Sequence, residues 1–204
     1  EFRKDGIFVI KLYSFSSNSA NLFRNALKNF AESNTDKLLL DLRGNPGGYL
    51  NSAVDISSWF LQSGKIIVTE DYGDDKKPEI FRSKGYNVFN DKLKFVILID
   101  GGSASASEIV AGAMQDHKRA KLVGSQSFGK GSVQEAIKIT PDTLLKITVA
   151  KWLTPNGNLI TEKGLTPDYV VENKKFTRTG EESGTSEDAQ LNKAVELLTD
   201  WLPL

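Results

Sequence analysis

The sequence predicts an α/β fold, and three observations carry the prediction. Short continuous apolar runs at 37–42 (KLLLDL) and 94–99 (KFVILI) read as strands buried on both faces. Amphipathic helical patterns alternate with strand patterns through the first 125 residues. Glycine-bearing turns at 44–48 and 101–102 lead from those buried strands into helices.

Taken in order, residues 6–15 are rich in β-branched and aromatic side chains and read as a strand. Phe23, Ala26, Leu27 and Phe30 then recur at helical spacing, with Ser17 or Asn18 as the cap. After the 37–42 strand and its glycine turn, a second helix is expected near 50–61, carrying Val54, Trp59, Phe60 and Leu61. Residues 65–82 read as a polar hairpin turning at Gly73, Asp74 and Asp75. The 94–99 strand leads into a helix from about Ser103 to His117, with Ile109, Val110, Ala113 and Met114 on one face. A short strand near 121–123, a glycine-bearing loop at 124–131 and strands near 132–139 and 143–153 follow. Pro155-Asn156-Gly157 is a turn signal. Residues 177–188 read as a polar linker, and a last helix at about 188–201 carries Leu191, Ala194, Val195 and Leu198. Its apolar face is suited equally to its own domain or to a second subunit.

Composition narrows the function. The 204 residues hold 26 basic and 26 acidic side chains, so no basic surplus favours nucleic acid. The absence of cysteine excludes disulfides, thiol nucleophiles and cysteine metal sites. A single histidine excludes a multi-histidine metal centre and leaves a Ser-His-Asp triad one candidate base, His117. No apolar run approaches the roughly 18 residues of a membrane span. The first residues alternate polar and apolar, unlike a signal peptide, so any targeting segment is expected outside this sequence.

Three segments can carry chemistry. In GGSASASEIV (101–110), Ser105 falls in the first turn of a helix, where free N–H groups and the positive end of the dipole gather. There its hydroxyl can attack while the Ala106 N–H faces a developing oxyanion; equally, Ser103, Ser105 and Ser107 can be mere caps. In GSQSFGKGSVQ (124–134), Gly124 and Gly129-Lys130 have P-loop spacing, but Gly131 replaces the Ser or Thr that binds magnesium, and a strand pattern follows where a helix is required. The turn at Gly47 and Gly48 can aim N–H groups at a ligand or simply join a strand to a helix.

A nucleophilic Ser105 needs a base. His117 ends a helix in the charged run Asp116-His117-Lys118-Arg119, where interaction with the helix C-terminus and water is the ordinary role. A lysine is the other option. Lysines titrate near 10.4, and lowering that to about 7–8 takes roughly 4 kcal/mol of destabilisation of the charged form, through burial or a nearby cation. Lys130 lies among Phe128, Gly129 and Gly131 with little polar cover, and an extended 130–134 segment sends Lys130 and Gln134 to one face.

At these residues the chain resembles the carboxyl-terminal processing proteases, also called tail-specific proteases, a family of serine peptidases. The resemblance runs from about Gly6 to the C-terminus. DLRGNPGG (41–48) is similar to the family's glycine turn, GGSASASEIVAGAMQD (101–116) to its nucleophile segment and FGKGSVQ (128–134) to its lysine segment. TPNGNLITEKGLTPDYVVE (154–172) resembles the segment that closes the catalytic domain. Four motifs in order, with 25 residues from serine to lysine, make a specific signal.

The resemblance implies Ser105 as nucleophile, Lys130 as general base, Gln134 as the group orienting the lysine, and the N–H groups of Gly48 and Ala106 as the oxyanion hole, with Gly47 the less favoured neighbour. It implies a ClpP/crotonase-like core of β-β-α units, with a β-rich C-terminal segment and a terminal helix. With the linker and last helix read from the pattern, the chain is expected to divide into a catalytic domain at 1–176, the linker at 177–188 and a C-terminal helix at 189–204. The expected activity is that of a serine endopeptidase cutting protein or peptide substrates with accessible C-termini, near those termini. No metal or organic cofactor is expected, a homo-oligomer is possible, and the setting implied is extracytoplasmic, periplasm or cell envelope. Family members usually carry a PDZ domain just ahead of the catalytic domain, which captures a C-terminus by strand addition; this sequence starts where such a domain would already have ended. Two other readings share the fold: a catalytically silent peptide-binding or scaffold module, and a crotonase-type acyl-CoA enzyme, which would leave Ser105 and Lys130 without a common role.

Overall fold

In the computed structural model, described for residues 1–73, 76–86, 88–172 and 188–202, the chain forms nine strands and four helices. The first sheet is parallel throughout, in the order β1-β2-β5-β6-β9. Its strands are β1 (Phe8–Lys11), β2 (Lys37–Asp41), β5 (Lys94–Ile99), β6 (Lys121–Gly124) and β9 (Tyr169–Val170). The second sheet is antiparallel, in the order β4-β3-β8-β7. It comprises β3 (Ile66–Asp71), β4 (Glu79–Arg82), β7 (Ser132–Thr140) and β8 (Thr143–Leu153).

The apolar runs form central strands because both of their faces are covered. Leu38, Leu40, Phe95, Ile97 and Ile99 face a cluster that includes α1 (Ser19–Glu32), α2 (Leu50–Ser57) and α3 (Ala106–Asp116). The alternate residues Leu39, Val96 and Leu98 face Ala194, Leu197 and Leu198 of α4 (Ala189–Thr199). The last helix therefore packs on its own sheet. Polar anchors hold it there, among them Gln190 Nε2, which donates to Val171 O at 2.9 Å. Arg43 Nη1 donates to both Asp188 carboxylate oxygens at 2.7 Å while Nη2 pairs with Asp41 at 2.8 Å. Lys121 Nζ donates to Leu202 O at 2.6 Å and lies over the Trp201 ring.

Several elements differ from the sequence expectation, each for a non-local reason. The strand expected over 6–15 stops at Lys11, because Phe15 turns away to bridge Gly48. The 65–82 hairpin forms, but β3 is not polar: it lies between β4 and β8, and Ile67 and Val68 are fully buried. Asp74 and Asp75 of its expected turn lie outside the described residues, as do residues 177–187 of the expected linker. The short β9 joins β6 through backbone pairing that no local apolar pattern announces.

Candidate active site

The site is assembled where β2 and β5 deliver their glycine turns side by side. After β2, Asn45 is fully buried and acts as a hub. Its Nδ2 donates to Leu12 O (2.7 Å), its Oδ1 accepts from Gly47 N (2.9 Å), and its carbonyl accepts from Ala104 N (3.0 Å) and Ser107 Oγ (2.9 Å). One residue thus ties the glycine turn to the serine turn. Packing then closes the gap: a methyl group on Gly47 would stand 2.8 Å from Ser105 Cβ and 2.9 Å from Ala106 N. Only glycine permits that approach.

The two glycines differ in what their N–H groups can do. Gly47 N is occupied by Asn45 Oδ1. The bridge to Phe15 uses Gly47 O (2.8 Å) and Tyr49 N (2.7 Å), so the Gly48 N–H is turned away from Phe15. Among the described residues neither Gly48 N nor Ala106 N, the first helical N–H of α3, has an acceptor.

Ser105 caps α3 with φ 55° and ψ −115°, a conformation that costs a non-glycine residue on the order of 1–3 kcal/mol. Its neighbours have spent their hydroxyl hydrogens: Ser103 Oγ donates to Leu42 O (2.8 Å) and Ser107 Oγ to Asn45 O. Ser105 Oγ donates to no acceptor among the described residues, and the residue is half-buried. A strained turn thus holds out one hydroxyl whose hydrogen is uncommitted among the described residues, while its oxygen serves the capping box with Glu108.

What holds that turn is a residue the sequence reading passed over. Glu108, at 0% exposure, accepts four hydrogen bonds. Oε2 takes Ser105 N (2.8 Å) and Lys130 N (3.0 Å); Oε1 takes Ser127 Oγ (2.6 Å) and Gly129 N (2.7 Å). A buried carboxylate without a cation is costly unless its lone pairs are filled, and here they are, at the favourable end of a helix dipole. The signal was present as Ser-x-x-Glu at 105–108, a capping box. The consequence is that the backbones of Ser105 and Lys130 hang on the same oxygen atom. Phe128 N adds a further tie, to Ser103 O at 3.0 Å.

The lysine side chain does not follow the expectation of burial. Lys130 is exposed, as are Phe128 and Gln134. The physical reason is topological. The loop is pinned by its main chain, with Gly131 buried against Ile160 and Thr161, and β7 then runs along the outer edge of its sheet. Gln134 sits in β7 opposite Thr148, just past an irregularity in the pairing, and no hydrogen bond joins it to Lys130 among the described residues. His117 lies at the far end of α3, where Nε2 is 2.7 Å from Ile66 O.

Comparison with known proteins places this arrangement. Residues 6–171 match the family described as Peptidase family S41. A protein of Bartonella bacilliformis named carboxy-terminal-processing protease is 42% identical over 178 residues, covering 84% of this chain and 40% of that protein. A protein of Staphylococcus haemolyticus named "Probable CtpA-like serine protease" is 38% identical over 174 residues, covering 85% of this chain and 35% of that protein. The chain thus spans well under half the length of these relatives. Among solved structures, the photosystem II D1 C-terminal processing protease superposes with a TM-score of 0.71 at 30% identity, over 80% of this chain and 41% of that one. Mature CPAF, at 14% identity and a TM-score of 0.68 over 94% of this chain and 49% of that one, shares the fold.

Proposed function

The chain belongs to peptidase family S41, and from that premise we propose that it is the catalytic unit of a serine endopeptidase working through a Ser105–Lys130 dyad. The observation that carries the reading is the shared Glu108 Oε2, which holds the backbones of Ser105 and Lys130 side by side. The unoccupied N–H groups of Gly48 and Ala106 support an oxyanion hole beside the same hydroxyl.

In this scheme a neutral Lys130 amine takes the Ser105 hydroxyl proton as Oγ attacks the scissile carbonyl carbon. The carbonyl oxygen becomes an oxyanion and accepts hydrogen bonds from Gly48 N and Ala106 N. Collapse of the tetrahedral intermediate breaks the C–N bond, and the leaving amine takes the proton from Lys130. Water, deprotonated by the same amine, then releases the acyl group and restores the serine. Gln134 orients the amine once substrate is present. The matched substrates are polypeptides with accessible C-termini, cut near those termini. The catalytic unit is taken as 1–176, the setting as extracytoplasmic, and no metal or organic cofactor enters the scheme. Among the described residues no helix is long and apolar enough to cross a membrane.

The exposure of Lys130 favours one competitor, a catalytically silent peptide-binding module on the same fold. The two are separated by incubating the protein with an unfolded substrate and mapping cuts by mass spectrometry. Ser105→Ala and Lys130→Ala should each lower cleavage by about 10³-fold or more with the fold intact by circular dichroism. Full activity in either variant ends the dyad assignment; peptide binding without any cutting by the unmodified protein establishes the silent module.

A further inference from the structure

We propose that the open edge of β7 is a strand-addition site, and that its occupant is an extended segment of unfolded polypeptide, the substrate of the neighbouring Ser105 site. The occupant's identity rests on the peptidase reading; the site itself rests on the geometry of the edge.

Among the described residues β7 is the terminal strand of its sheet and pairs on one side only, with β8. Trp152 N donates to Gly131 O at 2.7 Å and Ser132 stands opposite Lys151. By the alternation of an antiparallel ladder, the N–H and C=O of Ser132 point away from β8, into the open edge. This first outward pair lies two residues past Lys130. The strand runs for 9 residues without a proline. Proteins ordinarily blunt such an edge with proline, short length or dense charge, because it templates pairing with another chain. Glu135, Lys138 and two irregularities in the pairing with β8 interrupt this edge only in part, and a long edge beginning beside a candidate catalytic lysine is a place to pair deliberately.

The side chains agree. Ile137 stands opposite Leu145, and Glu135 opposite Ile147, so Ile137, Leu145 and Ile147 share one face of the hairpin. They are 40%, 48% and 38% exposed. A further strand would lay alternate side chains along that face. It would also cover the exposed loop at Lys130, which the proposed chemistry needs shielded from water and which no described part of the chain covers.

A second copy of this chain is a poorer occupant. Two β7 edges paired about a two-fold axis set residues of the same face opposite one another. Glu135 and Lys138, the two charged residues of β7, lie on opposite faces, so self-pairing gains no cross-strand ion pair from them.

The test is disulfide trapping, made clean by a chain without cysteine. In the Ser105→Ala background, single cysteines are placed at Glu135→Cys, Ala136→Cys, Ile137→Cys and Lys138→Cys, with exposed Lys28→Cys on α1 as the control. Each variant is mixed with unstructured peptides carrying one cysteine stepped along an unfolded test sequence. A strand on β7 places only same-face neighbours within disulfide reach. Trapping should therefore alternate with period two along the peptide, by about tenfold between adjacent positions. Odd and even β7 positions should trap in opposite phase, and Lys28→Cys should trap nothing. Uniform trapping, or none by any β7 cysteine, overturns the proposal, as does β7-to-β7 crosslinking that peptide does not displace. If the intact protein cuts nothing yet trapping alternates, the strand site stands and the peptidase reading falls. Cutting without alternation has the reverse meaning.

Discussion

Replacing Glu108 should unfasten the site before it touches the chemistry, and the structure supplies the size of the effect. Glu108→Ala takes the acceptor from three partly buried main-chain N–H groups, of Ser105, Gly129 and Lys130, and from the buried Ser127 hydroxyl. At about 1 kcal/mol for each partly solvated N–H and about 1–3 kcal/mol for the buried hydroxyl, the loss is about 4–6 kcal/mol, comparable with the ~5–15 kcal/mol stability of a whole domain. Glu108→Gln is milder. Its amide oxygen can stay on the Ser105 and Lys130 side while its NH₂ meets Ser127 Oγ, which can accept. Gly129 N and the Ser127 hydroxyl hydrogen are then left without an acceptor, for about 2–4 kcal/mol. Urea unfolding followed by tryptophan fluorescence measures both, since Trp59, Trp152 and Trp201 report from three parts of the fold. Cleavage should follow the same order, partly kept in Glu108→Gln and lost in Glu108→Ala. An alanine variant within about 1 kcal/mol of the parent would refute the reasoning, because those donors would then have found other partners and the carboxylate would not hold the two turns together.

Two further outcomes test other parts of the structure. At Gly48, φ is 145° and an added Cβ would stand 2.2 Å from Phe15 O; Gly48→Ala should displace its N–H and lower cleavage by about 10²-fold or more, whereas unchanged kcat would remove Gly48 from the oxyanion hole. Burial holds the Lys121 ammonium below the usual lysine range, with Asp168 working against it. Between that lowered value and about 10.4 the unfolded chain binds more protons, so this group's share of stability rises with pH. Compared with Lys121→Met, the parent protein should gain stability on going from neutral to alkaline pH; a pH-independent difference would contradict this.

Much of the site was legible because its signals are local. Ser105 announces itself through a buried strand, two glycines and a run of small residues, all within one turn. Glu108 was equally legible in principle, as the fourth residue of a capping box, yet its weight comes from Ser127, Gly129 and Lys130, which lie about twenty residues on. The 177–188 linker falls largely outside the described residues and adds nothing to this comparison.

Lys130 shows where sequence reasoning stops. Glycines and a phenylalanine around it describe a loop poor in polar cover, and from that a buried amine was expected. Burial depends instead on what the fold stacks over the loop, and β7 is an edge strand with nothing described on its outer side. The same logic explains β3, read as polar but buried between β4 and β8, and α4, whose apolar face could not name its partner until the sheet presented Leu39, Val96 and Leu98.

By itself, then, the sequence determined the strands that must be buried, the helices that follow them, the family and the residues to question, because periodicity, glycine turns and capping are written within a few residues of one another. Which N–H groups stay free, which carboxylate fastens serine to lysine, and whether the amine meets water were decided only by tertiary structure. Those are properties of neighbours brought together from distant parts of the chain, and solvent exposure belongs to the packing rather than to the residue.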